Sequence, residues 1–507
     1  MLRLSFRCIL VGVGFIAFSS KLALAKQLVP QPGVSWTSDV AADESQLGSA
    51  IVARGGSAVV GGPTNFAEGS AWHLGTDGGI WTEQHLELGM PVGDGALVGT
   101  AVEMDGQGSF VVGAPGKGGH VFVLSNDVVN ELEVGSGVKD QFGTSLALTT
   151  DLLLVGDQTS SSCMKGPCGA VFLFQWVNGW PQVGGPLFAS APLPGQKFGA
   201  SVAAISGPPF RAIIGAPGDF HQDVPTGSIY LMEEDMMGDW ALTKLIPDIV
   251  PGLTAGDKFG TQVAISDAWV LATTWDSGHV YAYDLAGQSW QLLDDLVPSE
   301  GLHRNVVLGP NFAAIGDFDG DGAVTFLSAT GEGFSALETL SPPQSGLFGR
   351  FGRGLGLDGD VLWVGEPDMG KGRVHRYVLK ASPGEICTED SDCATGLCVR
   401  EVCQDTTGGE TGTGGGESSS GESSGGESSG VDAETRGTST PTGNDGESFG
   451  TSSETMTATS HSGDGGGVGY DYDGLVDGCN CSSRQAPMGW SLWLLGPLGL
   501  LGLRRRR

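Results

Sequence analysis

The one segment of this 507-residue sequence patterned like a metal site is Asp317-Phe318-Asp319-Gly320-Asp321-Gly322. Alternating carboxylates followed by glycine can gather hard oxygen ligands around calcium at a sharp turn. No acid follows at a distal position, because Ala323-Val324-Thr325 runs straight into a strand pattern. Asp-Gly is also a common hairpin turn. Two readings therefore stand: a calcium loop built from Asp317, Asp319 and Asp321, and a plain turn.

Hydrolytic chemistry has less to work with. A nucleophilic triad needs serine, histidine and aspartate brought together. The eight histidines are at 73, 85, 120, 221, 279, 303, 375 and 461, and none falls in a GxSxG or HExxH motif. No glycine-rich loop carries the Lys-Ser/Thr of a phosphate cradle. His120 and His279 open equivalent strand patterns, and His375 lies in a similar one, which points to structural or surface roles. The sequence is read as non-enzymatic.

Cysteine carries the remaining chemistry. Setting aside Cys8, eight of the nine cysteines remain. Cys163 and Cys168 flank Met164-Lys165-Gly166-Pro167 and are expected to staple one loop. Cys387, Cys393, Cys398 and Cys403 lie in a segment without histidine, at spacings wider than zinc sites favour. Two disulfides are expected there, in any of three pairings.

Both ends read as addresses. Arg3 and Arg7, the apolar run Cys8–Phe18 and Ala23-Leu24-Ala25 form a secretory signal peptide over residues 1–25, and export makes disulfides the rule. At the other end, Trp490–Leu503 is apolar but broken by Gly496, Pro497, Gly499 and Gly502, and Arg504–Arg507 follow. As a helix it would span about 21 Å, short of a hydrocarbon core of about 30 Å. It is expected to serve as a short transmembrane helix and a processing signal. Gly478-Cys479-Asn480-Cys481, the apolar stretch and the terminal arginines resemble the myxobacterial C-terminal sorting signal (MYXO-CTERM), taken here as residues 475–507. That resemblance implies cleavage near the cysteines, lipid on Cys479 or Cys481, and anchoring at the cell surface or outer membrane. The alternative is that these cysteines pair with each other or remain unmodified. Residues 405–467 are mostly Gly, Ser, Thr and Glu. Such a segment cannot bury enough apolar surface to offset chain entropy and reads as a disordered linker. Its reach is roughly 40–50 Å.

Between the ends the sequence repeats. Short motifs centred on glycine recur at 48, 99, 143, 199, 260 and 352, as in Phe142-Gly143, Phe198-Gly199, Phe259-Gly260 and Phe351-Gly352. The last interval is nearly two periods long, and a degenerate copy around His303–Leu308 fits the gap. Each unit continues with an apolar run ending in a tight turn, as in Val112-Gly113-Ala114-Pro115 and Ile214-Gly215-Ala216-Pro217. An alternating strand and an aromatic-led strand follow. Four short strands per unit, seven units and abundant glycine imply an all-β, seven-bladed β-propeller over residues 34–380. The final unit ends one strand short, and Val34-Ser35-Trp36-Thr37 is an unpaired strand pattern. The N-terminal strand is therefore expected to complete the last blade. These repeats resemble the FG-GAP repeat of integrin α-subunit propellers and their bacterial relatives, whose calcium loops the Asp317–Gly322 segment also resembles. A small cysteine-rich module at 385–404 joins the propeller to the linker.

A net charge of −32 disfavours nucleic acid as a partner. The expected function is binding or adhesion through loops on one face, toward a surface protein or polysaccharide, with the cell envelope as second partner. The alternatives are a hydrolase acting on extracellular polymer and a structural envelope protein.

Overall fold

Runs of four to nine residues rich in Val, Leu, Ile and Phe alternate with Gly-containing turns, and each run becomes a strand of an antiparallel sheet. The computed structural model describes residues 26–404, except 78–79, 90–91, 127, 135–139, 164–165, 178, 208, 235–239, 250, 298–300, 347, 384–386, 389, 396 and 401. The signal peptide with Cys8, the linker 405–467, His461 and the 475–507 signal with Cys479 and Cys481 lie outside the described residues. No helix among the described residues is long and apolar enough to cross a membrane.

The chain forms a seven-bladed β-propeller. The innermost strands of blades one to seven are Ala50–Arg54, Ala101–Met104, Ser145–Leu148, Ser201–Ile205, Val263–Ile265, Arg304–Leu308 and Leu355–Asp358. Six blades are four-stranded sheets whose strands pair in order from the axis outward. Second strands such as Leu152–Asp157 and Val361–Glu366 are buried along their whole length, because both their faces pack against neighbouring blades. Outer strands such as Trp240–Leu245 are only half-buried.

The expected closure is present and longer than the sequence pattern suggested. Lys26–Trp36 pairs antiparallel with Arg373–Ala381, with Ser35 opposite His375 and Trp36 opposite Val374. Trp36 is buried and packs 6.0 Å from Trp72 of blade one, so the N-terminal strand joins the first blade to the last. Blade three departs from the expected four strands. After Ala170–Gln175, the chain makes only isolated bridges, Phe174 to Gln182 and Val171 to Leu187. Pro181 and Pro186 lack amide donors, and Gly184 turns into the left-handed region, so a continuous ladder cannot form.

The two glycine motifs explain each other. The turn glycine of one blade lies against the FG glycine of the next. A β-carbon on Gly61 would stand 1.9 Å from the Gly99 carbonyl oxygen, and one on Gly365 would stand 2.0 Å from that of Gly48. Backbones can meet this closely only where neither residue has a side chain. The rule is broken on both sides of one seam. Pairing of Asn305 with Gly316 puts His303 at the FG glycine position of blade six. The hydrogen bond from the Thr273 amide to the Gln262 carbonyl puts Thr273 at the turn-glycine position of blade five. The degenerate sixth motif and the missing fifth glycine are thus the two halves of one seam.

Candidate functional site

A propeller has two unequal faces. Here the turns between innermost and second strands are two to five residues long, as at 55–56 and 105–109. Connections on the other face, where the FG motifs lie, run to five residues or more. They include the 158–169 loop closed by Cys163–Cys168 and a small hairpin, Phe220–His221 with Val224–Pro225. Of the eleven exposed large apolar residues among the described residues, six lie on these FG-face loops: Val40, Leu193, Phe220, Val224, Leu302 and Phe348. A cleft of about 310 Å³ opens on the same face at the seam of blades one and two, bordered by Glu68, His85, Glu87 and Val98.

The Asp317–Gly322 segment forms the turn between the second and third strands of blade six. Its carboxylates do not gather. Asp319 accepts the amides of Leu302 (2.6 Å) and His303 (3.0 Å), and its other oxygen lies 2.5 Å from His303 Nδ1. Asp321 turns the other way and accepts the amides of Gly346 and Phe348, the latter at 2.9 Å. Asp317 is buried and accepts the Asp319 amide at 3.3 Å. Among the described residues, the only three His, Cys, Asp or Glu ligand atoms within 4.8 Å of one another are the sulfurs of Cys387, Cys393 and Cys398, which are engaged in disulfides. The aspartates therefore do not fit a calcium loop in this arrangement. They fit a clamp that ties the turn to the loop on either side of it.

Electrostatics agree with the clamp. Burial would raise the Asp319 carboxyl, but the His303 ring and the Leu302 and His303 amides outweigh it and hold the group below its ordinary value. Burial raises Asp317, against the opposing pull of the Asp319 amide and Arg304. Arg304 is itself buried, donates to the Gly278 carbonyl across the seam and lies 3.7 Å from Asp294. Desolvation lowers its guanidinium, against the attraction of Asp317, Asp294 and Asp319. His303 packs on Trp275 of blade five with ring centres 4.2 Å apart, and stacks on Phe318 at 6.0 Å. Around one turn the structure thus assembles Trp275, His303 and Phe318, flanked by the exposed Leu302 and Phe348.

The other histidines are structural in form. His120 and His279 open the third strands of blades two and five, and their Nδ1 atoms lie 2.7 and 2.5 Å from Glu131 and Asp294. His375 lies buried against Glu366 at 3.0 Å. The cysteine module has the pairing Cys387–Cys398 and Cys393–Cys403. It packs on the end of blade seven, where Ala381 bridges Cys393. Leu302, His303, Trp275 and Phe348 were not singled out from the sequence, because their neighbours in space come from three different blades.

No family profile and no curated protein matches this sequence. Solved structures with a similar chain path include a chain in the crystal structure of a mitotic checkpoint complex (12% identity, TM-score 0.43, covering 70% of this chain and 94% of that one) and the Dos1 propeller (13%, 0.43, 69% and 95%). The likeness extends to the fold alone.

Proposed function

We propose that this chain is an exported, surface-displayed binding protein of the FG-GAP type, whose long-loop face meets the ligand. One observation carries the reading. The ring collects exposed apolar side chains on the FG face, while the chain leaves the propeller at Ala381, on the opposite face, beside the cysteine module. The described chain thus departs from the face opposite these exposed apolar side chains, which leaves the FG-face loops clear of its exit. The sequence signals supply the rest of the proposal: export through the 1–25 leader, and anchoring through the 475–507 signal with Cys479 or Cys481 carrying lipid. Recognition is favoured over hydrolysis because the His–acid pairs sit in separate blades instead of converging on one nucleophile.

The test uses the mature full-length protein against arrayed glycans and envelope fractions. Leu302→Ser and Val224→Ser, on the FG face, should reduce binding. Trp176→Ser and Val177→Ser, exposed on the opposite face, should leave it intact. The reverse pattern would overturn the assignment of faces.

A further inference from the structure

Phe348 occupies a position that the ring builds repeatedly. The residue three places before the FG aromatic, or its aliphatic substitute, adopts left-handed backbone in four other units: Gly95, Gly195 and Gly256 at φ 78°, 82° and 92°, and Glu44 at 63°. Glycine is the unstrained solution to that conformation. Phe348 adopts it at φ 51° with 71% of its surface exposed. A bulky residue in left-handed backbone loses stability to steric strain. Exposing the ring to water recovers none of it. The conformation is held from outside the loop: the Asp321 carboxylate takes the Phe348 and Gly346 amides, and the Phe348 ring edge rests beside Gly320. Across the same turn, Asp319 holds the loop that leaves Leu302 48% exposed. The fold would be more stable with glycine at 348, so the side chain answers to something other than stability.

We propose that Phe348 is the anchor of the FG face, seated in an apolar pocket with a basic rim on a protein partner. This rests on the FG-face reading above and names the partner class. A ring that protrudes must find its pocket on the other molecule. Anchors of this kind are commonly aromatic and surrounded by near-neutral contacts. The rim is basic by charge complementarity: Asp321 accepts the Phe348 amide, Asp319 lies in the same turn, and the chain as a whole carries −32. A second copy of this chain carries the same acidic charge and is disfavoured, as is an anionic bilayer. A glycan would need hydrogen-bonding groups beside the ring, and the nearest carboxylates already accept backbone amides.

The experiment places the photo-crosslinker p-benzoylphenylalanine at position 348 of the full-length protein in the cell that makes it, with position 176 as the control on the opposite face. Cross-linked peptides are then sequenced. Position 348 should cross-link to one protein, at an apolar pocket rimmed by Lys or Arg, and position 176 should not. In purified protein, Phe348→Gly should raise the melting temperature by about 2 °C. It should also weaken the identified partner at least about 30-fold, the loss typical of an anchor residue. Phe348→Trp should retain binding. Cross-links only to lipid, glycan or a second copy would overturn the proposal, as would lowered stability of Phe348→Gly. If Phe348→Gly binds normally while Leu302→Ser does not, the anchor fails and the FG-face reading stands. If neither substitution affects binding, both fail.

Discussion

Glu103 offers a direct test of how the blades pack. It lies on the innermost strand of blade two with its side chain 16% exposed, and Oε2 is fully covered without a hydrogen-bond partner. Burial pushes its carboxyl from 4.5 up to about 7, against the opposing pull of Arg54 at 3.8 Å and the Met104 amide. A folded-state value above the unfolded one means that the native state holds the proton more tightly. The stability this contributes is complete below about 4.5 and is lost as pH rises through about 7. At about 1.4 kcal/mol per unit, the cost of ionising the folded protein at pH 8 is on the order of 3 kcal/mol. Glu103→Gln keeps the shape and removes the titration. Urea unfolding at pH 5 and pH 8 should show the variant close to wild type at the lower pH and more stable by up to about 3 kcal/mol at the higher. The reasoning is refuted if the difference between the two proteins is the same at both pH values, or if the glutamine variant is the less stable at pH 8. Arg54→Ala is the companion variant: it removes the attraction that lowers Glu103 and should steepen the pH dependence.

Deleting residues 26–36 should destabilise the whole ring, since it removes the outer strand of blade seven and the buried Trp36; unchanged thermal melting would contradict the closure. Peptide mapping of the oxidised protein should recover Cys387–Cys398 and Cys393–Cys403, and either of the other two pairings would show the module to be misdrawn. Asp319 sits below the ordinary carboxylate value, so the stability it contributes is present above the unfolded value and lost as pH falls through the folded one. Asp319→Asn should therefore destabilise at pH 7 and flatten the acid limb of the stability profile, and an unaltered acid limb would count against the clamp.

The architecture was legible wherever the ring demands the same residue seven times. FG and turn glycines recur because backbones meet at six of the seven seams, so even a worn copy such as His303–Leu308 could be placed by its interval. The outer strand of blade three was not legible, since four strands were expected of every unit while Pro181 and Pro186 remove the donors that a fourth would need. The site was harder. Asp317, Asp319 and Asp321 form a ligand-like string in sequence, but the amides they accept come from residues 302, 303, 346 and 348, which spacing does not connect. Phe348 left one trace that could have been found: alignment of the third residue before each FG motif sets it against Gly95, Gly195 and Gly256. Cysteine pairing left none, because three connectivities share one spacing.

The borrowed strand also determines how the ring meets a pull applied beyond residue 404. Force arriving from beyond residue 404 first meets two interleaved disulfide loops and then enters the propeller at Ala381. The strand that receives it, Arg373–Ala381, is not at the rim of its sheet. Val361–Glu366 pairs along one edge and Lys26–Trp36 along the other. A tug along that strand must shear two ladders together, with many hydrogen bonds sharing the strain. Had the last-made strand been outermost, the same tug could have peeled it away one bond at a time. By taking its outer strand from the beginning of the chain, the molecule sets its exit strand inside the weave, where the fabric is hardest to unravel.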